Sequence, residues 1–161
     1  MAESQSNLSE PDRRWRGFVC RDSRDPSAAW RQITQADLHD NVTRIRLNDT
    51  VPQDVHHRFA IAQALCVQSW HCFEFNVEAW LKAGQCLEVA LRFRLGERCR
   101  FVDLINRAIA AGVLTLDDGE RCHAIRKLRN SIAHDDSEMV HNDGPMMLRA
   151  TADIINGLFP S

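Results

Sequence analysis

The segment from Ile125 to Asp136 reads IRKLRNSIAHDD and contains two side chains suited to chemistry, Arg129 and His134. An imidazole has an unperturbed pKa of about 6.5, so His134 can accept or donate a proton near neutral pH. A guanidinium keeps its charge and donates several N–H groups in one plane, which suits the oxygens of a phosphate. Two copies of each, lining one groove, would suit cleavage of an RNA phosphodiester. The histidines would act as general base and acid, and the arginines would stabilise the charge on the pentavalent phosphorus.

The helical periodicity of this segment places Arg129 inside its apolar face. At about 100° per residue, Arg129 lies about 40° from Ile125, within the arc that also holds Cys122, Leu128 and Ile132. Burying an unpaired charge costs several kcal/mol, so this guanidinium must either be paired or face a cleft. Glu88, on the flank of the preceding long helical segment, is the candidate partner. Two interpretations therefore stand: an arginine locked to Glu88, and an arginine lining a functional groove.

The spacing of Arg129 and His134 limits how they can meet. His134 follows Arg129 by five residues, which separates them by about 140° on a straight helix. The two side chains converge if the helix ends near Ala133, or if two copies of this helix face each other across a dimer. A site that uses both residues is therefore expected to lie at a helix end or between two protomers.

Arginine dominates the basic residues of the chain, with eighteen arginines and only the two lysines Lys82 and Lys127. Residues 88–129 hold nine basic and six acidic side chains, whereas residues 130–161 hold one basic and five acidic ones. Five arginines supply the local positive charge: Arg92, Arg94, Arg98, Arg100 and Arg107. Arg92 and Arg94 are candidates for contacts with RNA, and Arg94 falls within the apolar arc of its helix. The alternative for Arg94 is a helix-end side chain that extends to solvent.

Apolar spacing predicts the elements that position these residues. Helices are expected at about 52–70, 74–96, 101–111, 119–133 and 146–158, with Gly96 ending the second. Residues 41–47 (NVTRIRL) alternate imperfectly and predict one short strand. The sequence thus predicts an all-α protein. A partly flexible N-terminal arm over 1–50 precedes an antiparallel bundle of four to five helices over 51–161.

Composition excludes several classes of protein. The net charge of −2 argues against binding nucleic acid through bulk charge alone, although a local basic patch remains open. No apolar stretch approaches the roughly 20 residues of a membrane span. No apolar region follows the arginine pair Arg13–Arg14, so an export signal is not expected and the cytoplasm is the expected location. The six cysteines lack metal-ligand spacing, which predicts free thiols and no metal or other cofactor.

The arrangement of Arg129, Asn130, three further residues and His134 resembles the Arg-(four to six residues)-His motif of HEPN domains. Two further stretches resemble HEPN-like bacterial proteins, Leu87–Leu95 (LEVALRFRL) and Leu104–Ala108 (LINRA). The resemblance covers about 52–158. It implies a homodimer with a composite, metal-independent ribonuclease site of a prokaryotic defence or toxin type. Arg129 and His134 would be catalytic, with Asn130 as their polar neighbour, and the ribose 2′-OH would attack the phosphate to leave a cyclic phosphate.

The sequence departs from the family pattern at a position that some HEPN toxins use for regulation. HEPN toxins that are silenced by a nucleotidyltransferase partner carry tyrosine two residues after the histidine, where this chain has Asp136. The chain contains no tyrosine, so that form of control is not expected. Asp135, Asp136 and Glu138 also add negative charge beside the candidate site. The alternative function is a non-catalytic helical dimerisation or adaptor module of the same fold, in which Arg129 would pair internally with Glu88.

We predict that the protein forms a homodimer through its helices, because a composite site requires two copies of Arg129 and His134. Light scattering at micromolar concentration measures this directly. A single species of about 18 kDa, the mass of one chain, would end the composite-site interpretation.

Overall fold

The fold is known from a computed structural model, which describes residues 10–21, 25, 27–133 and 144–161, with side chains omitted for 132 and 133. Six α-helices lie in this part of the chain: α1 Gln35–Thr43, α2 Gln53–Gln68, α3 Phe75–Leu95, α4 Phe101–Ala110, α5 Leu116–Ala133 and α6 Gly144–Leu158. A 3-10 helix spans Arg13–Gly17. Two short strands, β1 (Val19–Cys20) and β2 (Arg31–Gln32), pair antiparallel with Val19 opposite Gln32. The predicted all-α class is confirmed.

The strand predicted at 41–47 is wrong, because residues 35–43 form α1. Thr34 and Asp37 make a capping box: the Thr34 hydroxyl accepts from the Asp37 amide, and the Asp37 carboxylate accepts from the Thr34 amide. Leu38 and Val42, four residues apart, are then buried on one face. Seven residues are too few to distinguish strand alternation from the four-residue spacing of a helix that begins at Gln35.

The remaining helices lie close to their predicted positions, and the start of α5 is the clearest difference. Gly96 ends α3 in the left-handed conformation at φ +69°, as predicted. Helix α5 begins at Leu116, earlier than the predicted 119. The Thr115 hydroxyl there accepts a hydrogen bond from the Asp118 amide at 3.1 Å and donates to the Asp118 carboxylate at 2.9 Å. Threonine is a favoured helix cap, so these bonds explain why the helix begins earlier than its apolar spacing indicates.

Helix α3 is the central element of the fold, since α2, α4, α5 and α6 all contact it. Its inward side carries a run of fully buried side chains: Ala79, Ala83, Cys86, Leu87, Ala90 and Leu91. Several of these are small, which lets neighbouring helices approach closely. The candidate site lies on the side of α3 that faces α4 and α5.

Part of the segment predicted as an arm belongs to this core. Trp15 is 1% exposed, and its indole Nε1 donates to the Ser69 carbonyl at 2.6 Å. Its ring contacts three other aromatic rings, those of Phe18, Trp70 and Phe73. Residues of α1 join the same core. The described part of 10–50 is therefore anchored to the bundle through Trp15 and α1.

Asp12 fastens this segment to the connection between α2 and α3. Its amide donates to the Trp70 carbonyl at 2.7 Å, and its carboxylate accepts from Arg14 and from the Phe73 amide. Hydrogen bonds from the Arg14 side chain hold the pKa of the Asp12 carboxyl well below its ordinary value. The stabilisation is thus present above the unfolded carboxyl pKa of about 3.9 and is lost as the pH falls through the lower folded value.

None of the helices in the described part of the chain is both long and apolar enough to cross a membrane.

Replacing Trp15 with alanine should lower the free energy of unfolding by about 3–5 kcal/mol, the usual cost of removing a buried tryptophan. The matched control is Trp30→Ala, because Trp30 is 65% exposed and a surface change of this kind costs about 0.5 kcal/mol or less. Urea denaturation followed by circular dichroism gives both values. Equal stability of the two variants would show that the N-terminal segment does not contribute to the core.

Candidate functional site

An ion pair between Glu88 on α3 and Arg129 on α5 forms the centre of the candidate site. Arg129 Nη1 donates to Glu88 Oε2 at 2.6 Å, and the two side chains are 27% and 13% exposed. The pairing proposed from the helical wheel is therefore confirmed. The ion pair joins α3 to α5, and its two residues are 41 positions apart in the sequence.

The aliphatic part of the Arg129 side chain also packs against α3. A Cβ atom added at Gly84 would lie 3.1 Å from Arg129 Cδ, so the arginine stem packs directly on the backbone of α3. Gly84 and Glu88 are four residues apart and share one face of α3. The guanidinium also lies over the Phe101 ring, with Cζ 5.7 Å from the ring centroid, close enough for a cation–π interaction. Three elements thus fix the position of one guanidinium.

Glu88 is shared between two arginines. Arg92, one turn further along α3, donates from Nη2 to Glu88 Oε1 at 2.5 Å and is 42% exposed. One carboxylate therefore neutralises one of two guanidinium charges, which leaves a net charge of +1 on this group of three side chains. Arg129 uses a single N–H toward Glu88, and its other donors have no hydrogen-bond partner among the described residues. An anion is the ligand that this arrangement favours.

The other predicted site residues lie in different places. Asn130 is exposed in the last turn of α5. Arg94 is exposed and lies six residues beyond Glu88, about 240° around the helix, so it does not join the Glu88–Arg129 pair. His134, like Asp135, Asp136 and Glu138, falls outside the described residues. Its predicted approach to Arg129 stays a prediction.

Sequence reasoning missed Gly84 and Phe101 as parts of this site. Gly84 had a local signal, since a glycine inside a long helix costs about 1 kcal/mol relative to alanine and calls for a packing reason. Phe101 had none. It begins α4, and only the tertiary fold places its ring beside a side chain of α5.

The cysteines do not converge on a metal site. Cys66, Cys86 and Cys122 are buried free thiols, and Cys20, Cys72 and Cys99 are half-buried. Burial raises the pKa of Cys66, Cys86 and Cys122 to about 12, so these thiols stay protonated at neutral pH. Within residues 10–21, 25, 27–133 and 144–161, no group of three His, Cys, Asp or Glu side chains is placed to hold a metal ion.

The fold and site together define a helical bundle with an arginine-rich, anion-favouring cluster braced across α3 and α5. No protein-family model, curated protein or solved structure matches the chain.

Replacing Arg129 with alanine should lower the free energy of unfolding by about 1.5–3 kcal/mol, the range for a hydrogen bond to a charged group. The loss should stay below the 3–5 kcal/mol typical of a broken buried ion pair, because Arg92 still neutralises Glu88. Adding Arg92→Ala should cost more than the sum of the two single changes, since Glu88 then has no cation among the described residues.

Urea denaturation of the single and double variants forms the double-mutant cycle, with Arg149→Ala on the exposed face of α6 as control. Stability of Arg129→Ala within about 0.5 kcal/mol of the wild type, the size of an ordinary surface effect, would contradict a role for Arg129 in bracing α3 against α5.

Proposed function

We propose that this protein is a HEPN-like, RNA-binding homodimer that cleaves RNA without a metal ion, as a prokaryotic defence or toxin-type endoribonuclease. The observation that supports this best is the shared Glu88 carboxylate. It fixes Arg129 in place yet leaves the pair of guanidiniums with a surplus positive charge. An arginine held by its neighbours and left with open donors is pre-organised for a phosphate.

The chemistry follows from the residue types that the HEPN resemblance implies. One His134 would remove the proton of the ribose 2′-OH, and the oxygen would attack the adjacent phosphorus. The other His134 would protonate the departing 5′-oxygen, so the products are a 2′,3′-cyclic phosphate and a 5′-OH end. Arg129 would stabilise the negative charge that builds on the phosphoryl oxygens, with Asn130 beside it as a hydrogen-bonding neighbour. No step of this route requires a metal.

A non-catalytic dimerisation or adaptor module is the second candidate. The observation that favours it is the same ion pair in its structural role, because the Arg129–Glu88 contact braces α3 against α5 whether or not RNA is cut. Both functions expect Arg129→Ala to lose stability. They differ in whether the wild type has a ribonuclease activity that depends on His134.

The decisive experiment is cleavage of a labelled RNA pool, with EDTA present, by the wild type and by His134→Ala, Arg129→Ala and His123→Ala. Activity should fall by at least about 100-fold in the first two variants, since general acid–base and electrostatic groups each contribute about 10²–10⁴-fold. His123→Ala is the matched control. It removes a histidine of α5, whose ring contacts Asn106, and should cleave like the wild type.

Two results would contradict the ribonuclease proposal. Wild-type cleavage that persists in His134→Ala would point to a contaminant or another site. A wild-type protein that is dimeric and folded but inert toward RNA would favour the adaptor function. Thermal melts of every variant separate loss of chemistry from loss of fold.

A further inference from the structure

A groove of about 440 Å³ lies between the first turns of α2 and the last turns of α3, and Arg129 is not among the residues that line it. Its size falls within the roughly 300–1,000 Å³ range of ligand pockets. The lining residues come from both helices and from the turn after α3: Asp54, Arg58, Val89, Arg92, Phe93, Gly96, Glu97 and Arg98. The groove thus combines one aromatic ring with three arginines.

Phe93 is the aromatic side chain that lines this groove. It is 52% exposed, although most of the other large apolar side chains of α3 are buried or half-buried. It has no ring contact with another aromatic side chain in the described part of the chain. A flat, solvent-facing ring flanked by arginines is the arrangement on which proteins stack bases of single-stranded nucleic acids.

The carboxylates around the groove are already neutralised. Asp54 pairs with Arg58, Glu97 with Arg107, and Glu88 with both Arg92 and Arg129. Arg98 has no ion pair or hydrogen bond among the described residues. These four guanidiniums and three carboxylates leave a net charge of +1, and Arg98 raises it to +2. The groove lies between the N-terminus of α2, which carries a positive partial charge, and the C-terminus of α3, which carries a negative one. These two partial charges oppose each other, so the side chains determine the sign of the charge in the groove.

We propose that this groove binds a nucleotide of single-stranded RNA, with a base stacked on Phe93 and the adjoining phosphates bound by Arg98 and Arg58. Arg92 lines the groove and shares Glu88 with Arg129, so the groove adjoins the proposed cleavage site. The identity of the ligand as RNA rests on the proposed function. An acidic peptide would satisfy the arginines but would leave the face of the Phe93 ring without a stacking partner.

The test is binding of a fluorescein-labelled, mixed-sequence single-stranded RNA by His134→Ala protein in EDTA, followed by anisotropy. Using this variant keeps binding separate from cleavage. Phe93→Ala should weaken binding at least about fivefold, the lower end for losing one base stack. Arg98→Gln should reduce the slope of log affinity against log salt by about 0.7, as one phosphate contact is lost.

Two exposed residues outside the groove provide controls, Leu116→Ala for the aromatic change and Arg149→Gln for the charge change. Both should bind RNA like the parent. Equal effects of Phe93→Ala and Leu116→Ala on RNA binding would overturn the proposal. A parent protein that does not bind RNA would overturn it as well. Binding of poly-glutamate with the same dependence on Phe93, in place of RNA, would assign the groove to a protein partner and also overturn it. Binding without cleavage by the wild type would retain this groove and reject the ribonuclease.

Discussion

The burial of helix α3 is the constraint on which the rest of the structure depends. Four other helices pack around it, so each residue on its inward side must either be apolar or find a partner. Glu88 is the charged residue that this helix carries close to the core, at 13% exposure. Leaving its carboxylate without a cation would cost several kcal/mol. The positions of Arg92 and Arg129 follow from that requirement.

The way in which Glu88 is neutralised gives the site its net positive charge. A single bidentate arginine would have neutralised Glu88 and left no net charge. Here two guanidiniums share the one carboxylate. The structural and functional interpretations of Arg129, which the sequence left as alternatives, therefore describe the same side chain. Arg129 braces two helices and retains donors for an anion. Glycine at position 84 makes this geometry accessible, because any larger residue there would crowd the arginine stem.

The N-terminal segment shows how one large aromatic residue changes the role of a polar stretch. Residues around Trp15 are rich in charge and carry no helical or strand periodicity, which is typical of a solvent-exposed arm. Trp15 nevertheless inserts between Trp70 and Phe73, and its indole nitrogen finds the Ser69 carbonyl. Asp12 and Arg14 then tie the surrounding backbone to the start of α3. Packing of this kind depends on a cavity formed by distant residues.

The sequence by itself determined the all-α class, the five helices from Gln53 onward and the Gly96 stop, because helical periodicity and glycine conformation are local properties. It also determined that Arg129 lies on an apolar face and needs a partner, and Glu88 is that partner. It could not determine that 35–43 is helical, since apolar spacing over seven residues does not separate a strand from a short helix. Only the tertiary structure decided that Phe101 lies under Arg129 and that Trp15 enters the core. Those contacts join residues far apart in the chain, and their geometry is set by how whole helices pack.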